Sequence, residues 1–225
     1  MLTGKYNHSD YLFFSQVPKE NALKENLYLQ KEVLEAFLKM ADKAKKDGLN
    51  IYILSAFRDF EYQKNIWEAK FSGKRKVKGL EFNNKDYTDK QIVLKILEYS
   101  SMPGASRHHW GTDFDISFSN KNYSLNNQLY ESGEGKKLYL WLSKNAIKFG
   151  FCQPYKDSPE SRSKEYNLGY FEEKWHWSYK PIAVKYQNLF KKNMAFLKPK
   201  DFSGDLEVKD IYPQYILNIH NDCLN

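Results

Sequence analysis

Six consecutive residues, Asp113–Phe118, alternate between polar and apolar side chains and therefore indicate a β-strand. Successive side chains of a strand point to opposite faces, so Asp113 and Asp115 share one face while Phe114 and Ile116 share the other. The stretch predicts a strand that carries two carboxylates on one side of a sheet.

The other periodic segments predict helices around a few short strands. Apolar residues at intervals of three and four predict an amphipathic helix within Leu27–Lys46 that ends at Gly48. Further predicted elements are a strand over Ile51–Leu54, a helix capped by Asp59, a helix with a capping box at Thr88 and Gln91, a helix ending at Gly150, a strand near Phe151, a strand over Lys174–Tyr179 and a last helix from Pro181. This order predicts an α+β fold: a small central, mainly antiparallel sheet with flanking helices.

The length of 225 residues predicts a single domain. Residues 1–25 are polar and irregular, and we interpret them as an N-terminal arm. Residues 26–197 contain the periodic segments and form the predicted domain. Residues 198–225 are expected to be a partly ordered C-terminal tail.

The composition indicates a folded, basic protein. Hydrophobic residues make up 41% of the chain, the formal net charge is +7 and the mean hydropathy is −0.74. No apolar run approaches the roughly 20 residues of a membrane span, so we expect no transmembrane segment. The positive charge is compatible with nucleic acid, with an anionic wall polymer or with a lysine-rich surface. The basic segment Lys70–Gly79 is interpreted as an exposed, solvated loop, and nucleic-acid binding through it would require strongly salt-dependent affinity.

Two cysteines are too few for a disulfide framework or a cysteine-based zinc finger. Cys152 and Cys223 either form one disulfide, or Cys152 is a free buried thiol. The first residues contain no charged segment followed by an apolar one, so no signal peptide is expected within this chain.

Three of the five histidines fall in two dense segments, 106–117 and 172–179. His108, Asp115 and His176 would supply two imidazoles and one carboxylate, which is the ligand set of a catalytic zinc site. Glu173 would be the general base, although a bend near Lys174 is needed to turn it toward the same site as His176. From spacing alone, the pattern is suggestive but not specific, and His108 and His176 could equally be ordinary loop and strand histidines without a metal, which is the more common case.

Three motifs resemble one known family. The run Ser106-x-His108-x-x-Gly111-x-x-x-Asp115 resembles the SxHxxGxxxD motif of the zinc D,D-carboxypeptidase/peptidase family, which includes the VanY-type D-alanyl-D-alanine carboxypeptidases. Glu173-x-Trp175-His176 is similar to its ExWH motif, and Arg58 and Gln63 resemble part of its SxYRSxxxQ segment. The resemblance covers residues 51–179.

The resemblance implies a role for each matching residue. His108, Asp115 and His176 would bind one zinc ion per chain, Glu173 would be the catalytic base, and Arg58 would stabilise the oxyanion. The predicted substrate-binding residues are Arg58, Gln63, Ser106, Asp113, Trp175 and Tyr179.

Two positions depart from the family pattern. Asp113 stands where the family often has alanine, and Ser178 stands where it commonly has arginine. Asp113 would bind a substrate amine, orient a ligand or face solvent, and these alternatives remain open.

The predicted function is removal of C-terminal D-amino acids from peptidoglycan stem peptides by a zinc D,D-carboxypeptidase. The alternatives are an L,D-carboxypeptidase or endopeptidase on the same polymer, or a non-catalytic zinc-stabilised wall-binding module. We expect a monomer that does not bind nucleic acid. It would be exported to the periplasm or cell envelope with its leader absent from this chain, while a cytoplasmic location stays open.

Overall fold

The computed structural model describes residues 1–77, 86–121 and 124–224. The β-strands are β1 Phe14–Gln16, β2 Tyr28–Gln30, β3 Tyr52–Ser55, β4 Asp113–Ser117, β5 Phe151–Cys152 and β6 His176–Tyr179. The α-helices are α1 Lys31–Lys46, α2 Phe60–Phe71, α3 Asp89–Ile96, α4 Gly133–Asn145, α5 Pro159–Arg162, α6 Lys180–Asn193, α7 Asp205–Val208 and α8 Tyr212–Ile216. The chain is α+β, as its sequence predicts.

The central sheet has four strands in the order β3-β4-β6-β5, and every neighbouring pair is antiparallel. A separate two-stranded antiparallel sheet pairs β1 with β2. Strand β2 runs directly into α1, so the predicted helix over Leu27–Lys46 is shortened at its beginning. The predicted caps at Asp59 and at Thr88 with Gln91 are both formed.

One face of the central sheet is apolar. Phe114, Ile116 and Trp177 belong to a buried cluster that also contains Phe37 from α1 and Leu138 from α4. The opposite face carries the polar residues that alternate with them along β4 and β6. Burial of the apolar face therefore fixes the register that turns the polar residues toward the other side.

The segment predicted to be a C-terminal tail is packed over its described part. A second buried cluster contains Trp67, Ile92 and Trp110, and residues after 198 contribute to it. These are Phe202, Val208, Tyr212, Tyr215, Ile216, Leu217, Ile219 and Cys223. A disulfide joins Cys152 in β5 to Cys223. The sequence predicts a partly ordered tail here, whereas the described residues bury most of their apolar side chains against the second cluster.

The N-terminal arm is also in contact with the rest of the chain. Phe14 and Val17 are buried, and β1 completes the two-stranded sheet. The basic segment differs from its prediction too, because Lys70 belongs to α2 and only later residues are exposed. Lys78 and Gly79, which the predicted loop included, lie outside the described residues.

None of the helices in the part of the chain that the structure describes is both long enough and apolar enough to cross a membrane.

Candidate active site

The structure brings His108, Asp115 and His176 together as one buried cluster. One candidate ligand atom from each residue lies within 4.8 Å of the others. Asp115 and His176 face each other directly in the register of β4 and β6. Directly opposed residues of an antiparallel pair have Cβ atoms about 4.5–5.5 Å apart, so strand pairing alone brings these two side chains together.

His108 is positioned by a tight turn before β4. It lies in a short 3-10 helix, Arg107–Trp110, which ends at Gly111. Gly111 has φ +66°, and an added Cβ would lie 2.4 Å from the Phe14 ring. Because most side chains avoid this left-handed region, glycine is required both for the backbone and for the approach of Phe14.

Hydrogen bonds select which nitrogen of His108 faces the cluster. Its Nδ1 donates to the carbonyl oxygen of Ala56 at 2.8 Å, which leaves Nε2 free at 3.4 Å from Asp115 Oδ2. Burial, together with the charge of Arg58, lowers the pKa of His108 to about 4. The neutral ring that results is the form that binds a metal ion.

His176 is held in the opposite orientation. Its Nε2 lies 3.1 Å from Asp113 Oδ1, and its Nδ1 lies 3.1 Å from Asp115 Oδ1. Although burial opposes the charged ring, the hydrogen bond to Asp113 and the negative charge of Asp115 raise the pKa of His176 to about 9. Without a metal, the imidazolium would therefore supply the positive charge that these carboxylates require.

Asp113 lies behind His176 and is completely buried. It accepts hydrogen bonds from Arg107 Nε at 2.9 Å, Ser178 Oγ at 3.0 Å and Thr112 Oγ1 at 2.6 Å. Although burial acts in the opposite direction, the charge of Arg107 contributes to holding the pKa of Asp113 well below its ordinary value. Asp113 therefore orients a candidate ligand and does not reach the substrate side, which corrects its assignment as a substrate-binding residue.

The two departures from the family pattern contact each other in this network. Arg107 donates from Nη2 to Ser178 Oγ and from Nη1 to Gln187 Oε1, and its guanidinium stacks on Trp110. Asp113 and Ser178 are directly opposed in the register of β4 and β6. A buried guanidinium thus accompanies the extra carboxylate, as a buried charge requires.

The cluster fits a divalent metal ion. Asp115 Oδ1 is buried and makes no hydrogen bond of regular geometry in the described part of the chain, although His176 Nδ1 lies 3.1 Å from it. His108 Nε2 faces the neighbouring oxygen, Oδ2, at 3.4 Å. An unpaired buried carboxylate oxygen is costly, and coordination removes that cost. Two imidazoles and a carboxylate are a ligand set that zinc uses in catalytic sites.

A bend in the chain before β6 turns the Glu173 side chain toward the same cluster, as the sequence predicts it must. The His176 N–H donates to the Glu173 carbonyl at 3.2 Å, which closes a turn before β6. Glu173 Oε2 lies 3.4 Å from His176 Nδ1. Burial raises the pKa of Glu173 to about 8, with a further contribution from the negative charge of Asp115. The group can therefore exchange a proton near neutral pH.

Arg58 lies beside the cluster after β3. It donates from Nη2 to Asp115 Oδ2 at 3.0 Å, from Nη1 to Gln63 Oε1 at 2.9 Å and from Nε to Ser55 Oγ at 3.1 Å. A guanidinium has five N–H groups, so one on each terminal nitrogen remains for another acceptor. His109 fixes the backbone here, because its Nδ1 donates to the Arg58 carbonyl at 2.7 Å.

A cavity of about 1000 Å³ opens in front of these groups. Arg58, His108, Asp115, Glu173 and His176 all line it. Trp175, a predicted substrate-binding residue, also lies on its wall. The candidate metal ligands, the candidate base and a guanidinium thus face one common space.

Three other predicted substrate-binding residues do not line this cavity. Gln63 is buried and holds Arg58 while donating to the Ser101 carbonyl. The Ser106 hydroxyl is buried and has no hydrogen-bond partner among the described residues. Tyr179 donates to Glu32 and lies on a separate, smaller cavity. Its distance of three residues from His176 along β6 places it on the opposite face of the sheet.

Several residues of the cavity wall carry no signal in the sequence. Tyr155 packs on the His176 ring with a centroid distance of 4.9 Å, and Tyr170 packs on Tyr155. Both come from irregular chain, where no periodicity indicates their direction. Lys70 is predicted to lie in a solvated loop, but it belongs to α2 and lines the cavity.

Comparisons with known proteins agree with this geometry. The chain is 30% identical over 184 residues to “Putative carboxypeptidase YodJ” of Bacillus subtilis (strain 168), with 79% of this chain and 56% of that protein covered. It is 25% identical over 181 residues to a D-alanyl-D-alanine carboxypeptidase of Enterococcus faecium, with 80% of this chain and 44% of that protein covered. The chain thus spans about half the length of these relatives.

Solved structures share the fold. The LdcB LD-carboxypeptidase matches with a TM-score of 0.56 and 25% identity, covering 92% of this chain and 81% of the other. VanYB, solved with D-alanine-D-alanine, matches with a TM-score of 0.53 and 20% identity, covering 81% and 93%. A zinc-bound variant of the D,D-pentapeptidase VanY matches with a TM-score of 0.53 and 19% identity, covering 86% and 94%.

The family comparison covers most of the predicted domain. Residues 26–182 match the family VanY, D-alanyl-D-alanine carboxypeptidase, and this range contains all the groups that line the metal side of the cavity. The chain belongs to the VanY family of carboxypeptidases.

Proposed function

We propose that the chain is a zinc-dependent D-alanyl-D-alanine carboxypeptidase that removes C-terminal D-amino acids from peptidoglycan stem peptides. The observation that carries this proposal is the cluster of His108, Asp115 and His176 with Glu173 beside it in one cavity. The family match supports the peptidase activity and the class of substrate.

One zinc ion per chain would be held by His108 Nε2, an oxygen of Asp115 and His176 Nδ1. When bound, zinc supplies Lewis acidity, which polarises the peptide carbonyl and acidifies an attacking water. The second nitrogen of each imidazole is already occupied, by the Ala56 carbonyl and by Asp113 respectively. These outer contacts fix the rings before any metal arrives.

Glu173 would accept the proton of the attacking water and return it to the departing amine. Its buried position and raised pKa suit both steps, because the group must be a base first and an acid later. Arg58 would donate its remaining N–H groups to the carbonyl oxygen as negative charge develops there. Loss of one such donor typically costs about 2.7–4 kcal/mol of barrier.

An L,D-carboxypeptidase is the second candidate, because the LdcB LD-carboxypeptidase matches at 25% identity over 92% of this chain. The two candidates differ in the stereochemistry of the residue before the scissile bond. An endopeptidase would need space for a chain that continues past this bond. A non-catalytic wall-binding module has less support, since Glu173 has no structural need to accompany the metal ligands.

We further propose that the protein acts as a monomer outside the cytoplasm, in the periplasm or cell envelope where peptidoglycan is exposed. The Cys152–Cys223 disulfide supports this location, because disulfides persist in oxidising compartments.

The test compares wild type with Glu173→Ala on muramyl pentapeptide and tetrapeptide, with zinc supplied to both. We expect the wild type to release D-alanine from the pentapeptide and the variant to lose at least about 100-fold in rate. Exclusive release from the tetrapeptide would favour the L,D-carboxypeptidase. Undiminished turnover by the variant would contradict the proposed mechanism.

A further inference from the structure

One face of α2 forms a wall of the cavity. Tyr62, Ile66 and Lys70 line the cavity at intervals of four residues, and Arg58 precedes them at the same interval. At 1.5 Å per residue, Tyr62 and Lys70 are about 12 Å apart along the axis. Helical side chains lean toward the N-terminus of their helix, so Lys70 leans back along this wall toward the metal side.

The Lys70 ammonium is partly buried and is not paired with a carboxylate in the described residues. Its hydrogen bond goes to the hydroxyl oxygen of Ser100, which is itself buried. An ammonium has three donors, so two remain for a ligand in the cavity. The Ser100 hydroxyl accepts from Lys70 and keeps its own hydrogen available for donation.

The charges around Lys70 are mostly positive. Burial lowers the pKa of Lys70 to about 8, and the charges of Arg75 and Arg58 contribute in the same direction, while Glu173 opposes them. Positive charges in proximity are unfavourable unless an anion compensates them. This arrangement is costly in the free protein and becomes favourable when a negatively charged ligand enters.

The described cavity wall has separate acidic and basic regions. Its two carboxylates, Asp115 and Glu173, lie at the metal centre. Of its cations, Arg58 pairs with Asp115 at the metal centre, and the others are Lys24, Lys70, Arg75 and Lys76. The rest of the described wall therefore attracts negative charge, and Lys70 is partly buried there whereas Lys24 and Lys76 are exposed.

We infer that Lys70 and Ser100 form a subsite that binds a carboxylate of the peptide substrate. This inference rests on the proposed function for the identity of the substrate, and it deepens that function by naming a second polar contact outside the metal centre. A carboxylate accepts hydrogen bonds from both an ammonium and a hydroxyl, and a charge-assisted pair is stronger than a neutral one. Two sources are available in a stem peptide, the C-terminal carboxylate and a side-chain carboxylate.

The experiment measures peptide binding without turnover. Zinc-loaded Glu173→Gln protein, with Lys70 or with Lys70→Gln, is titrated calorimetrically with three synthetic stem peptides. One peptide has free carboxylates, one has a C-terminal amide, and one has its side-chain carboxylate amidated. With Lys70 present, we expect one amidation to weaken binding about tenfold or more. With Lys70→Gln, the same amidation should change the dissociation constant less than about twofold.

The amidation that weakens binding identifies which of the two carboxylates Lys70 contacts. Lys70→Arg keeps the charge and should retain the discrimination, which separates loss of a contact from a folding defect. Lys74→Gln is the matched control, since it removes the same charge from an exposed residue that does not line the cavity. This control should bind all three peptides like its parent.

The inference would be overturned if Lys70→Gln weakened the binding of the free and amidated peptides equally. It would also be overturned if Lys70→Gln left every dissociation constant unchanged, or if none of the three peptides bound. Failure of the proposed function looks different. In that case wild-type protein releases no C-terminal residue, while the titrations still show whether Lys70 discriminates between carboxylate and amide. Turnover in wild type without this discrimination would instead overturn the Lys70 subsite alone.

Discussion

At the scale of single residues, the site depends on which nitrogen of each imidazole already makes a hydrogen bond. His108 and His176 present different nitrogens because the Ala56 carbonyl and Asp113 hold the other ones. The sequence predicts the candidate ligands through their motif. It does not predict the buried Arg107, because arginine is rarely fully buried and its partner Asp113 is six residues away around a turn.

Removing the Asp113 carboxylate should weaken zinc binding without removing a ligand. In Asp113→Asn, His176 loses a charged partner at Nε2, and such changes typically cost about 10–100-fold in metal affinity. Competition with a chromophoric chelator measures the zinc dissociation constant. An exposed carboxylate, tested as Asp210→Asn, is the control and should leave affinity unchanged. Wild-type affinity in Asp113→Asn would show that Asp113 does not position His176.

Glu173 should make the metal-free protein less stable as the pH rises. Its pKa is raised from an ordinary 4.5 to about 8, so between these values the folded state keeps a proton that the unfolded state has released. The free energy of unfolding therefore falls across this window, by about 1.4 kcal/mol for each unit of pKa difference.

Denaturant titrations of the metal-free protein from pH 4 to 9 test this. Glu173→Gln cannot ionise and should flatten the decline relative to wild type. A variant and a wild type with parallel pH profiles would mean that Glu173 has an ordinary pKa in the folded protein.

At the scale of elements, the sequence predicts the helices and strands whose apolar residues recur at a regular interval. Helix α1 and strand β4 are predicted because apolar residues recur about every 3.6 residues in the helix and every 2 residues in the strand. Strand β2 was missed because its three residues run directly into α1. Tyr179 is predicted to bind substrate, but the alternation along β6 places it on the other face.

The turn before β4 should tolerate no side chain at Gly111. In Gly111→Ala, both the left-handed backbone and contact with the Phe14 ring oppose the new Cβ. We expect a loss of about 2–4 kcal/mol in the free energy of unfolding. Gly48→Ala is the matched control, because Gly48 has φ +80° and nothing within 4 Å of its added Cβ.

Chemical denaturation of both variants separates backbone strain from the clash. The control should lose only about 1–2 kcal/mol, which is the cost of the left-handed conformation. Equal losses in the two variants would show that the approach of Phe14 contributes nothing.

At the scale of the whole molecule, the end of the chain is part of the core. Tyr215 packs on Tyr170, which packs on Tyr155 and so on His176, and the disulfide fixes Cys223 to β5. The sequence did not predict this, because the apolar residues after 198 lie in short helices without a sustained period. It left the cysteine pairing open because spacing alone does not determine connectivity.

Breaking the disulfide should destabilise the protein. It closes a separation of 71 residues, and the constraint it places on the unfolded chain is typically worth about 2–4 kcal/mol. Thermal and denaturant unfolding of the double variant Cys152→Ser/Cys223→Ser, beside reduced wild type, measures the loss. Stability equal to that of the oxidised wild type would mean that the bond does not hold the C-terminal segment.

The most direct test of the metal centre is the zinc content after stripping and reloading. Wild type, Glu173→Ala, His108→Ala and His176→Ala are dialysed against a chelator, reloaded and analysed by mass spectrometry of the metal. We expect one zinc per chain in wild type and in the glutamate variant, with most zinc lost from both histidine variants. Full zinc content in either histidine variant, or no zinc in wild type, would contradict this expectation.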